Sequence, residues 1–474
     1  MTRESRRRTG DADEASEAHA LPGGILAPQV QELPRHGLQR LLALEDHVAP
    51  LLVDQGDGAP RWYQRDKWRV FSPQSVAEEG IGATIARFQL DNGDEATLSR
   101  DPSSARLYAP FDLAAAYDAY VSETAAAATR QWKLSARQLN TFYRVKRFIP
   151  RPVQLGFRRL FVRWQRHPKF PAWPLDLSVV RLLHLYAFCV LLAQGKSEAP
   201  FRWFWPGRHR AALTLTHDVE SEEGLRLALE VADLEEELGF RSSFNLGGWY
   251  TVDPGFVREL TGRGFEIGVH GLRHDRSLFA TRESFDAQQP ALRELVERLG
   301  AVGFRSPSTH RVFKWIGELP FDYDCSMPHS DPFEPQPGGC CSLWPFFIGR
   351  VVELPYTLPQ DHTLFTLLGH RTPAVWLKQA AQIEKEYGLI ECVTHPDRGY
   401  LGDSRKRAMY AEFLRAMAER PHLWKALPRD VAAWWRSRDL GEGVIEHGVV
   451  RVGDVPEEVA LDPPVEAQAE ARRD

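Results

Sequence analysis

Hydrophobic residues in the second half of the chain, from about residue 206, follow two alternating periodicities. Short apolar, β-branched runs bounded by chain breakers are typical of buried strands, and the longer segments between them carry the apolar period of an amphipathic helix. This alternation predicts an α/β domain with a mainly parallel sheet. The predicted strands are 213–216, 242–246, 265–269, 301–305, 323–327, 351–354 and 389–393. The predicted helices are 221–239, 254–263, 283–299, 373–387 and 404–420.

The first half of the chain has a different pattern. A helical patch at 38–52, a strand-like run at 83–90, a hairpin turn at 91–94 and an alanine-rich helix near 113–128 together predict a small α+β unit. Polar, charged ends on both sides of the chain predict disorder. The predicted organisation is a disordered 1–36, an accessory α+β domain at 37–125, a basic, aromatic helical linker at 126–205, the α/β domain at 206–438 and a largely disordered tail at 439–474.

The linker contains a segment of unusual composition. No acidic residue occurs between Thr124 and Leu175, and basic residues alternate with aromatic ones over 130–169. A basic face beside an aromatic face suits an anionic membrane surface. RNA binding and a solvated helix packed on its own neighbour are the two alternatives.

Charge and cysteine content narrow the class of protein. The chain has 474 residues, a net charge of −5 and five cysteines. The acidic balance argues against a dedicated nucleic-acid-binding protein, and an odd, scattered set of cysteines does not indicate a secreted disulfide framework. The amino terminus has no apolar core typical of a signal peptide, and the apolar run 179–193 is interrupted by charge, which favours a buried helix over a membrane span. These features predict a cytoplasmic protein, with membrane association through 130–169 left open.

Candidate chemistry first appears at the end of the strand 213–216. Asp218 and Glu220 follow it, and the period of a strand points both side chains the same way. Two carboxylates on one face repel each other unless a metal, an arginine or a proton lies between them. The alternative interpretation is that Asp218 only caps the following helix.

Further polar residues follow later predicted strands. His270 and His274 stand four apart after one strand, Arg305 ends the next, and His395 follows a late one. Two histidines at this spacing can share a metal, although buried structural histidines are the usual alternative. Because the carboxyl ends of parallel strands meet at one edge, we expect these residues to converge.

The motifs THDVE, HGLRH, FRSP and THP, in this order over 206–438, resemble those of the polysaccharide deacetylases, carbohydrate esterase family four with the NodB-homology fold. GGCC at 338–341 and LPxTxPQDxTLF at 354–365 are similar to a bacterial subgroup with THDVE. The resemblance implies a distorted (β/α)7 barrel, preceded here by the α+β unit. It also implies metal-dependent removal of N- or O-acetyl groups from a carbohydrate, acting on a C–N bond other than a peptide bond in the N-acetyl case.

The resemblance also implies residue roles. Asp218 would be the general base, Arg305 its partner, His270 and His274 metal ligands, and His395 the general acid. The usual first motif has adjacent carboxylates, whereas Val219 separates them here, so Glu220 is predicted as the third ligand. The acidic residue that supports the general acid is left open among Asp324, Asp331 and Asp361.

Several alternatives accompany this prediction. Two histidines and a carboxylate leave open positions on a divalent ion, and zinc is expected first, with iron(II) or cobalt as alternatives. A catalytically inactive barrel that binds glycan or acts as a scaffold, and a barrel acting on a cyclic amide or another C–N bond, are the rival functions. A second metal site could involve Cys340, Cys341, His329 and Asp331, and the tryptophans at 203–205 and 434–435 could stack on sugar rings or pack internally.

Overall fold

The computed structural model of the protein describes the amino-terminal part of the chain in pieces and the remainder continuously. The described residues are 37–43, 51–52, 60–66, 68–72, 82–101, 107–129, 156, 158–159, 162 and 170–452. The predicted disordered segment 1–36 and most of the basic segment 130–169 therefore lie outside the described residues. Of the tail predicted at 439–474, residues 453–474 lie outside them, whereas 439–452 are described and include a strand at His447–Arg451.

The amino-terminal unit is a six-stranded sheet with helices packed on it. Its strand order is β1-β6-β5-β4-β2-β3, and all pairs are antiparallel except β1 with β6. The strands are β1 (Leu51–Leu52), β2 (Arg61–Arg65), β3 (Trp68–Ser72), β4 (Ala83–Leu90), β5 (Glu95–Arg100) and β6 (Leu107–Tyr108). The helices are α1 (Gly37–Leu42), α2 (Leu113–Val121) and α3 (Thr124–Ala128).

Two helix predictions in this unit are wrong. Of the patch at 38–52, the described residues form helix α1 up to Leu42 and strand β1 at its end, so the patch is not one helix. The alanine-rich segment is two helices rather than one, because Glu123 between them adopts a left-handed φ of 61°. The hairpin prediction is confirmed, since β4 and β5 pair across the turn at Asp91–Gly93.

The second half of the chain forms a nine-stranded sheet, in the order β13-β14-β12-β11-β10-β9-β8-β15 with β16 paired to β8. Strands β15, β8, β9, β10, β11, β12 and β14 run parallel to one another, and β13 pairs antiparallel with β14 at one edge. The nine strands are β8 (Ala211–Val219), β9 (Ser243–Leu246), β10 (Glu266–Val269), β11 (Gly303–Phe304), β12 (Tyr323–Asp324), β13 (Phe346–Ile348), β14 (Val351–Glu353), β15 (Leu389–Thr394) and β16 (Leu423–Lys425). A separate two-stranded sheet consists of β7 (Glu198–Arg202) and β17 (His447–Arg451).

Irregular backbone brings the two ends of this sheet together. The segment after β14 reaches β15, where the amides of Thr357 and Leu358 donate to the carbonyl oxygen of Glu391 at 3.3 and 3.2 Å. The Thr357 hydroxyl also donates to the carbonyl of Leu389. The predicted fold, an α/β protein with a distorted barrel of seven parallel strands, is confirmed.

One helix of this half precedes the barrel strands, and the others connect or follow them. These helices are α4 (Ser178–Ala193), α5 (Glu222–Glu237), α6 (Pro254–Gly262), α7 (Arg282–Leu299), α8 (Phe313–Ile316), α9 (Ala374–Lys385), α10 (Ser404–Ala418) and α11 (Pro428–Leu440), with a π-helical turn at His362–Leu367. Sequence signals explain their starts: Ser221, Asp253 and Thr281 each accept a hydrogen bond from a backbone amide of the first turn of α5, α6 and α7. The predicted buried helix at 179–193 is α4, which is buried along most of its length.

Buried contacts tie the amino-terminal unit to the barrel. Arg438 of α11 is 1% exposed and donates to the carbonyls of Arg40 and Leu41 in α1 and of Arg202 and Trp203 beside β7. Strand β17 pairs antiparallel with β7. Among the described residues, no helix combines the length and the apolar character needed to cross a bilayer.

Candidate active site

Asp218 lies near the carboxyl end of β8 inside the barrel and is 3% exposed. Asn245 of β9 donates to its Oδ1 atom at 2.8 Å, and the same oxygen lies 3.5 Å from Nε of Arg305 and 3.9 Å from Nδ1 of His270. Burial alone would raise the pKa of Asp218, but the positive charges around it and the hydrogen bond from Asn245 outweigh burial and lower that pKa. Asp218 is therefore ionised at neutral pH. It does not cap α5, because Ser221 does.

Arg305 follows β11 and is fully buried. Its shortest contacts are not with Asp218: Nη2 donates to Glu391 Oε1 at 2.7 Å and to the Thr216 hydroxyl at 2.9 Å. Thr216 in turn donates to Glu391. The predicted pairing of Arg305 with Asp218 is thus a contact at 3.5 Å, and the hydrogen-bonded partner of the guanidinium is Glu391. Glu391 was not predicted as a site residue, because it lies within the apolar run of β15.

The three predicted metal ligands lie together. One ligand atom from each of Glu220, His270 and His274 falls within 4.8 Å of the others, and Glu220 Oε1 is 3.1 Å from His274 Nε2. His270 directs Nδ1 at the carbonyl of Arg305 at 3.0 Å. Because a carbonyl can only accept, Nδ1 carries the proton and Nε2 has the lone pair that a metal needs.

Electrostatics also suit a metal at this cluster. Burial lowers the pKa of His270 to about 4, so its ring is neutral near pH 7. Burial would raise the pKa of Glu220, but the hydrogen bond from His274 and the nearby imidazoles hold it well below its usual range. Neutral imidazole nitrogens and an ionised carboxylate are the donor states that divalent ions bind.

Two residues that were not predicted as ligands hold this cluster in place. Asp397 accepts a hydrogen bond from the Glu220 amide at 2.9 Å and another from the Ser221 hydroxyl. Trp249 donates from Nε1 to the Glu220 carbonyl at 3.1 Å, and its ring centre lies 5.3 Å from that of His274. Asp397 therefore supports the loop of Glu220, whereas the carboxylate hydrogen-bonded to His395 is that of Asp361.

His395 stands on the other side of β8, after β15, and is 6% exposed. Its Nδ1 lies 2.7 Å from Asp361 Oδ1, and its backbone amide donates to Asp361 Oδ2 at 3.1 Å. Burial would lower the pKa of His395, but the charge and hydrogen bond of Asp361 raise it to about 10. The ring is protonated near neutral pH, with Nε2 as its second donor atom.

The structure separates the three candidate carboxylates. Asp361, at the start of the π-helical turn, contacts His395. Asp324 accepts from the Ser326 hydroxyl at 2.7 Å, and Asp331 accepts from the Phe333 amide at 2.8 Å. The geometry selects Asp361 as the partner of His395.

The suggested second metal site is not formed. Both ring nitrogens of His329 are engaged by backbone: Nε2 accepts from the Asp176 amide at 2.9 Å, and Nδ1 faces the Ser342 carbonyl at 3.0 Å. Burial raises the pKa of both the Cys340 and Cys341 thiols, which disfavours the thiolate form. Within the described part of the chain, Glu220, His270 and His274 form the one cluster able to hold a metal.

The other aromatic and basic features are outside the site or outside the described residues. Trp205 is fully buried against Trp424 and Trp435, which supports internal packing for these rings. Of the basic segment 130–169, Arg158 and Arg159 are described, and they donate to the carbonyls of Phe333 and Thr366. Membrane contact through this segment stays a prediction.

The comparisons with known proteins concern about half of the chain. No protein-family profile and no curated protein matches it. A structure from Mycobacterium smegmatis assigned to the polysaccharide deacetylases shares 20% identity with a TM-score of 0.41, over 52% of this chain and 96% of that one. Puue allantoinase shares 18% identity (TM-score 0.39; 50% and 93% of the two chains), and peptidoglycan deacetylase PdaC from Bacillus subtilis shares 11% (TM-score 0.31; 50% and 97%). The solved structures that resemble this chain thus include polysaccharide deacetylases, the family that its sequence motifs resemble.

Proposed function

We propose that the protein is a metal-dependent hydrolase that removes acetyl groups from an acetylated carbohydrate, with an N-acetylated sugar as the first expected substrate. The observation that supports this most is the convergence of Glu220, His270 and His274 within 4.8 Å. An ionised carboxylate and a protonated histidine flank that cluster. These are the groups that hydrolysis of an amide needs.

The donor set fits a divalent ion. Glu220, with Nε2 of His270 and a nitrogen of His274, would hold it and leave positions open for water and substrate, as in catalytic zinc sites. When bound, such an ion supplies a Lewis acid for the acyl oxygen and lowers the pKa of water to roughly 7. Zinc is the first candidate, with iron(II) and cobalt as alternatives.

Asp218 is proposed as the general base. Among the described residues, its contacts with Asn245, Arg305 and His270 all involve Oδ1. Its Oδ2 atom is therefore proposed to accept the proton from the attacking water. The charge of Arg305, itself neutralised by Glu391, keeps the carboxylate ionised without engaging it in a bidentate pair.

His395 is proposed as the general acid. Asp361 fixes the ring through Nδ1, so the proton for the leaving nitrogen comes from Nε2. An amine leaves poorly unless it is protonated as the C–N bond breaks, whereas an activated aryl ester does not need this help. The Asp361–His395 pair thus supports an amide substrate, and its presence favours an enzyme over the alternative of an inactive scaffold.

Metal content and acetate release together test the proposal. The purified full chain should hold about one divalent ion, and should release acetate from N-acetylglucosamine oligomers or, in a parallel assay, from an O-acetylated xylan. His274→Ala should lose both the metal and the activity and remain folded. His370→Ala, a change of an exposed histidine, is the matched control and should keep both.

Two results would contradict parts of this proposal. A wild-type chain that gains no stoichiometric metal on titration with zinc, iron(II) or cobalt would exclude a metal-dependent hydrolase. Stoichiometric metal without acetate release from either polymer would exclude the deacetylase and favour the glycan-binding alternative.

A further inference from the structure

The loop that follows Arg305 crosses from the barrel towards the amino-terminal unit. Its first attachment is to the sheet: the Arg305 amide donates to the Val269 carbonyl at 2.9 Å. The backbone then turns through two left-handed residues, Ser308 with φ 50° and Thr309 with φ 51°. Such conformations are costly for residues with a Cβ atom and persist only where surrounding contacts hold them. Residues 306–311 therefore depend on contacts with other parts of the protein to keep this conformation.

The far end of this loop is held by the amino-terminal unit. Arg311 is 3% exposed and makes a two-pronged pair with Glu123: Nε donates to Oε2 at 2.7 Å, and Nη2 donates to Oε1. Its third nitrogen, Nη1, donates to the Thr309 carbonyl at 2.7 Å. Glu123 thus sets the position of a guanidinium that in turn supports one of the strained residues of the loop.

Glu123 is constrained both by its own backbone conformation and by the barrel segment that it contacts. Glu123 is itself left-handed, at the break between α2 and α3. On the barrel side, a Cβ atom on Gly338 would lie 2.3 Å from Glu123 Oε1, so only glycine leaves room for the pair. Gln336 of the same segment accepts from the Arg311 amide and donates to the Arg311 carbonyl, at 3.1 and 3.0 Å. Three backbone segments therefore meet at one buried ion pair.

The loop also passes beside the proposed metal cluster, because Cδ of Pro307 lies 3.0 Å from the Cβ position of Gly271, the residue next to the proposed ligand His270. Burial lowers the pKa of His310 to about 4, and the neighbouring charges that act on this ring include Arg311, Glu334 and His274. The loop therefore runs from a residue that contacts Asp218, past the neighbour of a proposed ligand, to a residue that contacts Glu123.

We propose that Glu123 and Arg311 are positioning residues, through which the amino-terminal unit holds loop 306–311 in the geometry that the active site needs. The amino-terminal unit is then part of the working enzyme and not a separate accessory module. The effect of this pair on the reaction rests on the proposed function. The effect on the loop is independent of it, because the order of the loop backbone can be measured without a substrate.

The test uses the full chain in four forms: wild type, Glu123→Gln, Arg311→Lys and Glu318→Gln. The first change removes the charge of the pair, and the second keeps a charge that cannot bind two oxygens at once. Glu318→Gln is the control, because it removes the carboxylate of an exposed two-pronged pair with Arg282 at 2.8 and 2.7 Å. Hydrogen exchange of the peptide covering 303–312, bound zinc, and kcat and KM for acetate release are measured on folded protein.

Glu123→Gln and Arg311→Lys should raise exchange in the 303–312 peptide about tenfold, and leave exchange in β10 unchanged. Bound zinc should stay at the wild-type level, and kcat should fall about tenfold with KM changed less than twofold, since a small displacement of reacting groups acts mainly on the chemical step. The control should match the wild type. If Glu123→Gln does not fold, Arg311→Lys decides the question alone.

Unchanged exchange in the loop of the folded variants would overturn the proposal. Faster exchange with unchanged kcat would overturn the role in the reaction. If the wild type releases no acetate, the proposed function fails, and the exchange data alone decide whether the pair holds the loop.

Discussion

The pairing of His395 with Asp361 leads to a quantitative prediction for Asp361→Asn. Burial lowers the pKa of His395, but Asp361 above all, with smaller contributions from Glu220 and Asp218, raises that pKa from 6.5 to about 10. This rise corresponds to about 5 kcal/mol in favour of the protonated ring. In the asparagine variant the largest of these contributions is lost and burial remains, so the pKa of His395 should fall towards its ordinary value of about 6.5.

The expected loss of activity depends on pH because the general acid must carry its proton. With a pKa of about 10, roughly 90% of the wild-type rings are protonated at pH 9, whereas with a pKa of about 6.5 only about 0.3% are. The ratio of wild-type to variant activity from protonation alone should therefore rise from near unity at pH 6 to about 300-fold at pH 9. Any loss of ring orientation adds a factor that does not vary with pH.

The measurement is kcat/KM between pH 5 and pH 10 on an N-acetylated sugar oligomer and, in parallel, on p-nitrophenyl acetate. For the amide substrate, Asp361→Asn should shift the basic limb of the kcat/KM profile to lower pH. The shift should be much smaller for the aryl ester. A basic limb at the same pH in both proteins would refute the assignment of His395 as the acid. Equal losses on the two substrates would refute it as well.

The same pair has a consequence for stability. The folded-state pKa of His395 is raised, so its contribution is fully present below about pH 6.5 and is lost as pH rises through about 10. The free energy of unfolding of the wild type should decline over that range by up to about 5 kcal/mol from this group. Asp361→Asn should show a flatter profile in urea denaturation followed by circular dichroism.

Two further variants probe the support of the site and the fold. Gly268→Ala would place a Cβ atom 2.1 Å from Oδ1 of Asn245, so it should displace the side chain that donates to the proposed base and lower kcat on the order of tenfold. Gly262→Ala is the control and should leave kcat unchanged, because no heavy atom lies within 4 Å of its Cβ position. Equal effects of the two variants on kcat would refute this reasoning. Arg438→Met should leave four backbone carbonyls without their buried donor and lower the free energy of unfolding by about 4 kcal/mol or more in urea denaturation. A loss below about 1 kcal/mol would show that this arginine does not link the two units.

Much of the fold and of the candidate site could be predicted because both follow from strand ends. Parallel strands place their carboxyl ends at one edge, so a pattern that locates the strands also places Asp218, Glu220, His270 and His395 near one another. Patterns within a few neighbouring residues were sufficient to locate these strand ends. The N-cap at Ser221 was predicted from the same kind of short-range pattern. The roles of these residues stay predictions until activity is measured.

The residues that sequence did not identify depend on distant parts of the chain. Glu391 lies inside an apolar strand and looks like an outlier until Arg305, 86 residues earlier, is seen to contact it. Asp361 could not be separated from its rivals because it reaches His395 across 34 residues from an irregular π-helical turn. The sequence contains one weak indication that Asn245 belongs to the site, namely that it is a polar amide within a short buried strand.

The register of β8 has a consequence for synthesis of the chain. One part of this strand pairs with β9, only 24 residues further on from Val219 to Ser243, but its ladder with β15 needs Leu389, which is 170 residues beyond Val219. At about 5–20 residues per second, a ribosome takes roughly 10–30 s to make that interval. Throughout it, the β-branched, apolar sequence of β8 presents an open edge, the kind of template on which nascent chains pair with one another. The yield of native protein should therefore depend on what covers that edge during translation more than on the stability of the finished barrel.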